Sequence, residues 1–425
     1  MRMDIREGKA LLVDGPACVT LHSGTMTALG ARIKVGDYIV VRRGKRIPLR
    51  AIKPSEVELL LGNPATYSMI DDDPIPLSWK EAAERTLSKD GRVMVAVLGG
   101  IDSGKTSFCT YLANMALNGG RRTALVDGDL GQSDVGPPGT LGLSLIEKPV
   151  TDLFTLQPDR MIFLGVTSPR SAIEQTINGL LKLKDEAENM GSDFIIVDTD
   201  GWIDGADAVS YKHRLIRELK PDFVIAIEGN GELKPIMGSL TDDGVKILMI
   251  ETPKNIKKRD RETRKLIRET SYRKYLREAK VRSYPLSWIK VSGILEIRGK
   301  IDRNLKERAE EILGDKVIYC ENLQEYVFLA LKEGTTLSDE EKEMVNAEFS
   351  KPVKIMREGD ERGLFVALED EEGNLLGVGT IYCVDFERST LKVYTNVESP
   401  VSRVHVGRIR LDERGSEIEI LTKDL

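Results

Sequence analysis

Cysteine, histidine and tryptophan are scarce in this 425-residue chain, at four, three and three residues. Cys18, Cys109, Cys320 and Cys383 are scattered, with no C-x-x-C pair among them. That spacing argues against a zinc site and a disulfide framework, and it fits a reducing, cytoplasmic setting. Long apolar runs are missing too. None approaches the ~20 residues of a membrane span, and Met1 to Glu7 has no apolar core of a secretory signal. No membrane partner is therefore expected. An excess of positive charge is also lacking: the net charge is −6, so the chain as a whole does not read as a nucleic-acid binder. Glutamine occurs only four times while charged residues make up 31%, a usage that resembles thermophile proteins. There is no internal repeat and no low-complexity tract.

What is present organises the chain into three stretches. Residues 1–75 read as β-rich, with short runs such as Ala10 to Val13, Ala17 to Leu21 and Tyr38 to Val41 between Gly/Asp turn signals. The acidic, proline-punctuated Asp71 to Pro76 is a linker, and Ser78 is expected to cap a helix over Lys80 to Leu87. Residues 76–345 carry strands alternating with helices. Buried-type strands are expected at 92–98, 123–127, 161–166, 194–198, 223–227 and 246–250, with helices at 171–189 and 207–219. This pattern predicts a parallel α/β sheet covered by helices on both faces. Helices are also expected near 322–332 and 339–349. Residues 346–425 return to β.

The motif that carries most chemistry is Gly99-Gly100-Ile101-Asp102-Ser103-Gly104-Lys105-Thr106, continuing into Ser107. It reads G-x-x-x-x-G-K-T between a strand and a helix. Such a loop aims backbone N–H groups and a helix dipole at phosphates. Lys105 reaches the β- and γ-phosphates and Thr106 holds Mg²⁺. The alternative is a chance match in a glycine-rich turn, which the strand and helix around it disfavour. Four strand ends then converge on one crevice, at Gly99, Asp127, Thr167 and Asp198. Asp127 and Asp129, spaced i and i+2, can divide two tasks, Asp127 holding Mg²⁺ through water and Asp129 accepting a proton from an attacking hydroxyl. A solvated acidic turn is the plain alternative. Arg170 can clamp phosphate, or it is simply the first turn of a helix opened by Ser168-Pro169. Trp202, after Gly201, can pack locally or stack a base. Asp198 makes a second Walker-B candidate. Finally, residues 254–282 hold thirteen Lys/Arg against four Asp/Glu. Arg261, Arg264, Lys265 and Arg268 share one helix face, suiting a lid over phosphates, a nucleic-acid track, or both.

Taken in order, the phosphate loop, Asp127-Gly128-Asp129-Leu130-Gly131-Gln132-Ser133, Gly136-Pro137-Pro138-Gly139, Thr167-Ser168-Pro169-Arg170, Gly201-Trp202 and the arginine-rich helix resemble the polynucleotide 5′-hydroxyl kinases of the Clp1/Grc3/Nol9 family, the archaeal members in particular. The resemblance covers about residues 92–282. It implies transfer of the ATP γ-phosphate to a 5′-OH end of single-stranded RNA or DNA, with Mg²⁺. It implies that Gly99 to Ser107 hold ATP, that Asp129 activates the 5′-OH, and that Asp127 and Gln132 complete that motif. Thr167 and Arg170 match the clasp on the terminal nucleotide, and Trp202 the aromatic beneath its base. Arg264 and Arg268 match the lid arginines, with Arg261 and Arg273 as alternative registers. The basic helix near 257–282 would be the lid. The family often has an uncharged residue where Asp198 or Asp200 stands, so neither receives a role. Its three-domain layout matches the β-rich ends.

Two other readings stay open. One is a partner-switching ATPase resembling the MinD and ParA group, which also places D-x-D after a second strand. Its phosphate loop carries an extra lysine near the start, where this chain has Gly100 and Ile101. The other is a non-enzymatic scaffold holding ATP within an RNA-processing complex. The intact set Lys105, Thr106, Asp127 and Asp129 favours catalysis.

Overall fold

The computed structural model describes residues 1–240 and 244–422. They form two compact units, Met1–Arg268 and Glu269–Leu425. The β-rich first 75 residues thus share a unit with the phosphate-loop sheet, and residues 269–345 share one with 346–425.

The first unit begins with seven strands in one antiparallel sheet, in which the long strands Ala17–Ala28 and Arg46–Leu61 pair along most of their length. Their burial alternates on either side of a mid-strand break in register, as a half-buried sheet requires, and the inward set (Val19, Leu21, Met26, Ile47, Leu49, Val57, Leu59) forms a core of its own. Ser78 does not cap. It lies inside the helix Leu77–Leu87 and its hydroxyl accepts from Glu251 N at 3.3 Å.

The second sheet positions the site. Its strands run in the order Arg160–Phe163, Thr140–Ile146, Thr123–Gly128, Phe194–Thr199, Val93–Gly99, Phe223–Glu228, Lys246–Glu251. The last five are mutually parallel. Alternate residues face opposite layers. Val93, Val95 and Val97 pack with Phe108 and Leu112 of the helix Lys105–Asn118, whereas Met94, Ala124 and Val126 pack with Leu180 and Leu215 of the helices Ile173–Asn189 and Ala206–Leu219. Both faces are covered, which is why these strands read as unbroken apolar runs. One strand departs from the expected parallel pattern: Thr140–Ile146 runs antiparallel to both neighbours. The Gly136 to Gly139 turn reverses the chain. Gly142 then lies so close to the Val135 carbonyl that a Cβ there would sit 1.7 Å from it.

In the second unit a seven-stranded sheet includes Lys280–Pro285 and Lys290–Gly293, which pair with Thr390–Thr395 and Arg403–Leu411. A three-stranded sheet lies against the helices Arg303–Leu313 and Asp339–Glu348. The expected helix near 322–332 is instead the strand Val327–Leu331, buried along its whole length. Among the described residues, no helix is long and apolar enough to cross a membrane.

Candidate active site

The phosphate loop leaves a fully buried strand, Val93–Gly99, and enters the helix Lys105–Asn118. Gly104 sits at φ 104°, so a side chain there would be strained, and its Cβ would press on Ile256 at 3.1 Å. Lys105 is almost buried, and its Nζ donates back to the Gly100 carbonyl at 2.9 Å. The Ser103 hydroxyl is buried without a hydrogen-bond partner. An unmatched donor beside the free N–H groups of a helix start fits an anion.

The carboxylate that meets Thr106 is Asp198. Thr106 Oγ1 donates to its Oδ2 at 2.8 Å, while the other oxygen, Oδ1, is buried with no hydrogen-bond partner. The thiol of Cys109, a weak donor, also lies beside Asp198. Asp127 stands directly across from Asp198 on the neighbouring strand. Its oxygens are already occupied: Oδ1 accepts from Asp129 N at 3.1 Å, and Oδ2 from Ser133 Oγ, Asp134 N and Val135 N at 2.8–3.1 Å. Asp127 therefore shapes the loop that follows it. Burial, and then the Asp198 charge, push its carboxyl up to about 8, and burial pushes Asp198 up against the pull of Lys105 and Thr106.

Asp129 lines the cavity, half-buried, with Oδ1 accepting from Gly131 N and Gln132 N at 3.0 and 2.9 Å. Burial raises its pKa, Lys105 opposes this and Asp200 adds to it. Gln132 donates to the Arg264 carbonyl at 3.3 Å and so reaches the basic helix. From the same loop, Gly131 approaches the Thr167 carbonyl so closely that a Cβ would lie 2.9 Å from it. Ser168 caps the short turn Pro169–Ser171, leaving Arg170 exposed with its guanidinium 6.0 Å from the Trp202 ring. Thr167, Arg170 and Trp202 all line the cavity.

The cavity holds about 490 Å³. Ile101 to Ser107 line it, whereas Gly99, Gly100 and Asp127 do not. Arg264 and Arg268, from the helix Arg261–Tyr275, line it as well, and Arg261 does not. Arg273 donates instead to the Arg414 carbonyl and Ser416 within the second unit. The basic segment meets the loop through Asp102, whose Oδ2 accepts from Arg259 N at 2.9 Å and lies 3.5 Å from Arg264.

Sequence reasoning missed a whole wall. The turn Arg42 to Arg46 of the N-terminal sheet brings Lys45 and Arg46 into the cavity. Arg42 bridges Asp134 and Asp152 at 2.5–2.8 Å, and Lys45 reaches Asp134 at 2.6 Å. Burial alone would raise the Asp134 pKa, but these two cations hold it well below the usual carboxylate range. On the other side of the turn, the Gly44 carbonyl accepts from Arg259 Nε and Arg46 donates to the Asn255 carbonyl, each at 2.9 Å. Nothing local in Arg42-Arg43-Gly44-Lys45-Arg46 distinguishes it from a solvated turn, because its partners outside the first sheet lie 89–215 residues away.

The fragment from residue 99 to 278 matches the family model for the P-loop of the mRNA cleavage and polyadenylation factor CLP1. Polyribonucleotide 5′-hydroxyl-kinase MJ1315 of Methanocaldococcus jannaschii is 32% identical over 341 residues, 78% of this chain and 90% of that protein. Polyribonucleotide 5′-hydroxyl-kinase PF0112 of Pyrococcus furiosus is 30% identical over 82% of this chain and 96% of its own length. The Clp1p chain of a Clp1p–Pcf11p complex shares the fold, with a TM-score of 0.66 over 96% of this chain and 97% of that one, at 14% identity.

Proposed function

This chain belongs to the polyribonucleotide 5′-hydroxyl-kinase family built on the CLP1 P-loop, and from that premise we propose that it transfers the ATP γ-phosphate to the 5′-OH end of single-stranded RNA. One observation carries the reading. A phosphate loop, a half-buried carboxylate and an arginine–tryptophan clasp, drawn from separate strand ends, open into a single cavity. Phosphoryl transfer asks little covalent chemistry of the protein and much positioning and charge neutralisation.

Each side chain then has a task. The loop from Ile101 to Ser107 cradles the triphosphate, with Lys105 released from the Gly100 carbonyl to meet it. Asp129 orients the 5′-OH and accepts its proton. Its raised pKa makes it a stronger base than an exposed aspartate. Arg264 and Arg268 neutralise charge from the lid side, and Gln132 ties that lid to the Asp129 loop. Thr167 and Arg170 grip the terminal nucleotide, and Trp202 stacks its base. One stacked base and a few phosphate contacts leave sequence unread, so little sequence preference is expected.

A divalent ion fits beside Thr106. Two observations support giving Asp198 the metal-side role first expected of Asp127: its bond to Thr106 and its unpartnered buried oxygen. Mg²⁺ bound there through Thr106, water and phosphate oxygens would offset charge on the transferring group.

The test is direct. Purified protein, γ-labelled ATP and Mg²⁺ are incubated with a 5′-OH RNA, its 5′-phosphorylated counterpart and a matched DNA strand. Label on the 5′-OH RNA alone or on both 5′-OH strands supports the reading and sets the preference. Bound ATP without transfer supports the scaffold, and hydrolysis without transfer the partner-switching ATPase.

A further inference from the structure

The loop that carries Trp202 is built on a buried ion pair that phosphoryl transfer does not use. Asp200 Oδ1 accepts from Trp202 N at 2.9 Å. Its Oδ2 accepts from the Tyr211 hydroxyl at 2.9 Å and from Lys212 Nζ at 2.8 Å, and Lys212 also donates to the Asp200 carbonyl. The Tyr211 ring in turn stacks on the Trp202 indole, centroids 5.7 Å apart and planes 20° from parallel. Lys212 has no exposed surface and Tyr211 only 2%.

We infer that Asp200 is a positioning residue for the acceptor strand: with Tyr211 and Lys212 it fixes the plane on which Trp202 receives the terminal base. The inference rests on the reading of Trp202 as that platform. A lysine without exposed surface must be paired, so the geometry of the Asp200–Lys212 pair is set by packing and not by solvent. One carboxylate then holds the backbone of Trp202 through one oxygen and the ring beneath its indole through the other. An indole already fixed on binding loses less conformational freedom when a base stacks on it. Asp200 holds the platform through Trp202 N and Tyr211, so that effect belongs in oligonucleotide affinity; it also lines the cavity and its charge raises the Asp129 pKa, an effect read separately in the pH dependence of kcat. A general disturbance would travel differently. Gly201 lies against Ile101 of the phosphate loop, where a Cβ would come within 2.9 Å, so a collapsed loop would weaken ATP as well.

The experiment uses full-length protein carrying Trp288→Phe, because Trp288 is 77% exposed whereas Trp79 is 1% exposed and shielded from a soluble quencher. Acrylamide quenching then reports Trp202. Asp200→Asn is expected to raise the KM for a 5′-OH RNA about tenfold, the order of one base–aromatic stack. The KM for ATP should stay within about twofold, kcat at saturating RNA is compared on the plateau of its pH profile because the lost charge also lowers the Asp129 pKa, and RNA should protect Trp202 from acrylamide only at about tenfold higher concentration. Tyr211→Phe keeps the ring and removes one hydroxyl, so it should shift both readouts in the same direction by less. It also serves if Asp200→Asn fails to melt as a folded protein. An unchanged RNA KM in Asp200→Asn, with Trp202→Ala raising it, overturns the inference and leaves the platform intact. Parallel rises in the ATP and RNA KM also overturn it, since they mark a loop that is merely structural. An unchanged RNA KM in Trp202→Ala removes the platform itself, and the inference with it.

Discussion

Asp198→Asn should separate the two buried carboxylates, because the structure gives them different neighbours. The substitution keeps volume and lets the Thr106 hydroxyl still donate, so the loop should fold. What it removes is charge. Hydrogen bonds to charged groups contribute about 1.5–3 kcal/mol and neutral ones about 0.5–1.5. The lost charge assistance on a metal-bound water is then about 1–1.5 kcal/mol, or a five- to tenfold weaker divalent ion. In the metal-free protein the sign reverses, because removing one member of a like-charged pair relieves Asp127. Asp127→Asn should behave otherwise. An amide cannot accept all the bonds Asp127 receives, and each buried donor left unmatched costs about 1–3 kcal/mol. The assay is calorimetric titration of Mn²⁺ with a non-hydrolysable ATP analogue, beside thermal melts at pH 8. Asp198→Asn should weaken Mn²⁺ and raise the metal-free Tm, whereas Asp127→Asn should lower Tm first. Unchanged Mn²⁺ affinity in Asp198→Asn, with weakened affinity in a well-folded Asp127→Asn, would refute the assignment.

Lys105→Ala should abolish labelling of 5′-OH RNA, and retained turnover would remove the loop from the chemistry. Asp129→Asn should lower kcat by about 10²–10⁴ with ATP affinity retained, and the wild-type kcat should fall on acidification at a pH above the ordinary aspartate range, since burial raises that carboxyl. Without metal, stability should fall as pH rises from about 4 toward about 8. The folded Asp127 keeps a proton that the unfolded chain has lost, and a melt series flat in pH would contradict this. Arg42→Met should cost about 3–5 kcal/mol by stranding buried carboxylates, read by urea unfolding. A loss under 1 kcal/mol would mean that water screens this network.

The sequence was most informative where chemistry and period coincided. Val93 to Gly99 is apolar on both faces because both faces are covered, and Lys105 follows because a helix must start there. The helices at 173–189 and 206–219 were legible from their periodicity. Val327 to Leu331 was not: five consecutive apolar residues carry no period that tells a buried strand from a buried helix. Thr140–Ile146 was hidden for a different reason, since an antiparallel insertion leaves no mark on a strand buried in the same way as its parallel neighbours. In the site, Lys105, Asp129, Arg170 and Trp202 could be picked out because each stands in a local motif. Asp198 was seen but left without a role, because the resembling family often has an uncharged residue there, and only the fold shows that it faces Thr106. Lys45 and Arg42 had no local signal at all, since their meaning lies in Asp134 and Asp152.

The Arg42 to Arg46 turn also sets an order of events during synthesis. Its last partners, Asn255 and Arg259, are 209 and 215 residues downstream. At about 5–20 residues per second the ribosome needs roughly 10–40 s to make that stretch. Throughout that wait the first sheet has a core of its own to close, and the turn it holds out is three arginines, a lysine and a glycine. Such a turn stays hydrated and does not invite aggregation. The earliest-made part of the catalytic centre can therefore stand finished and soluble until the last-made part arrives to close it.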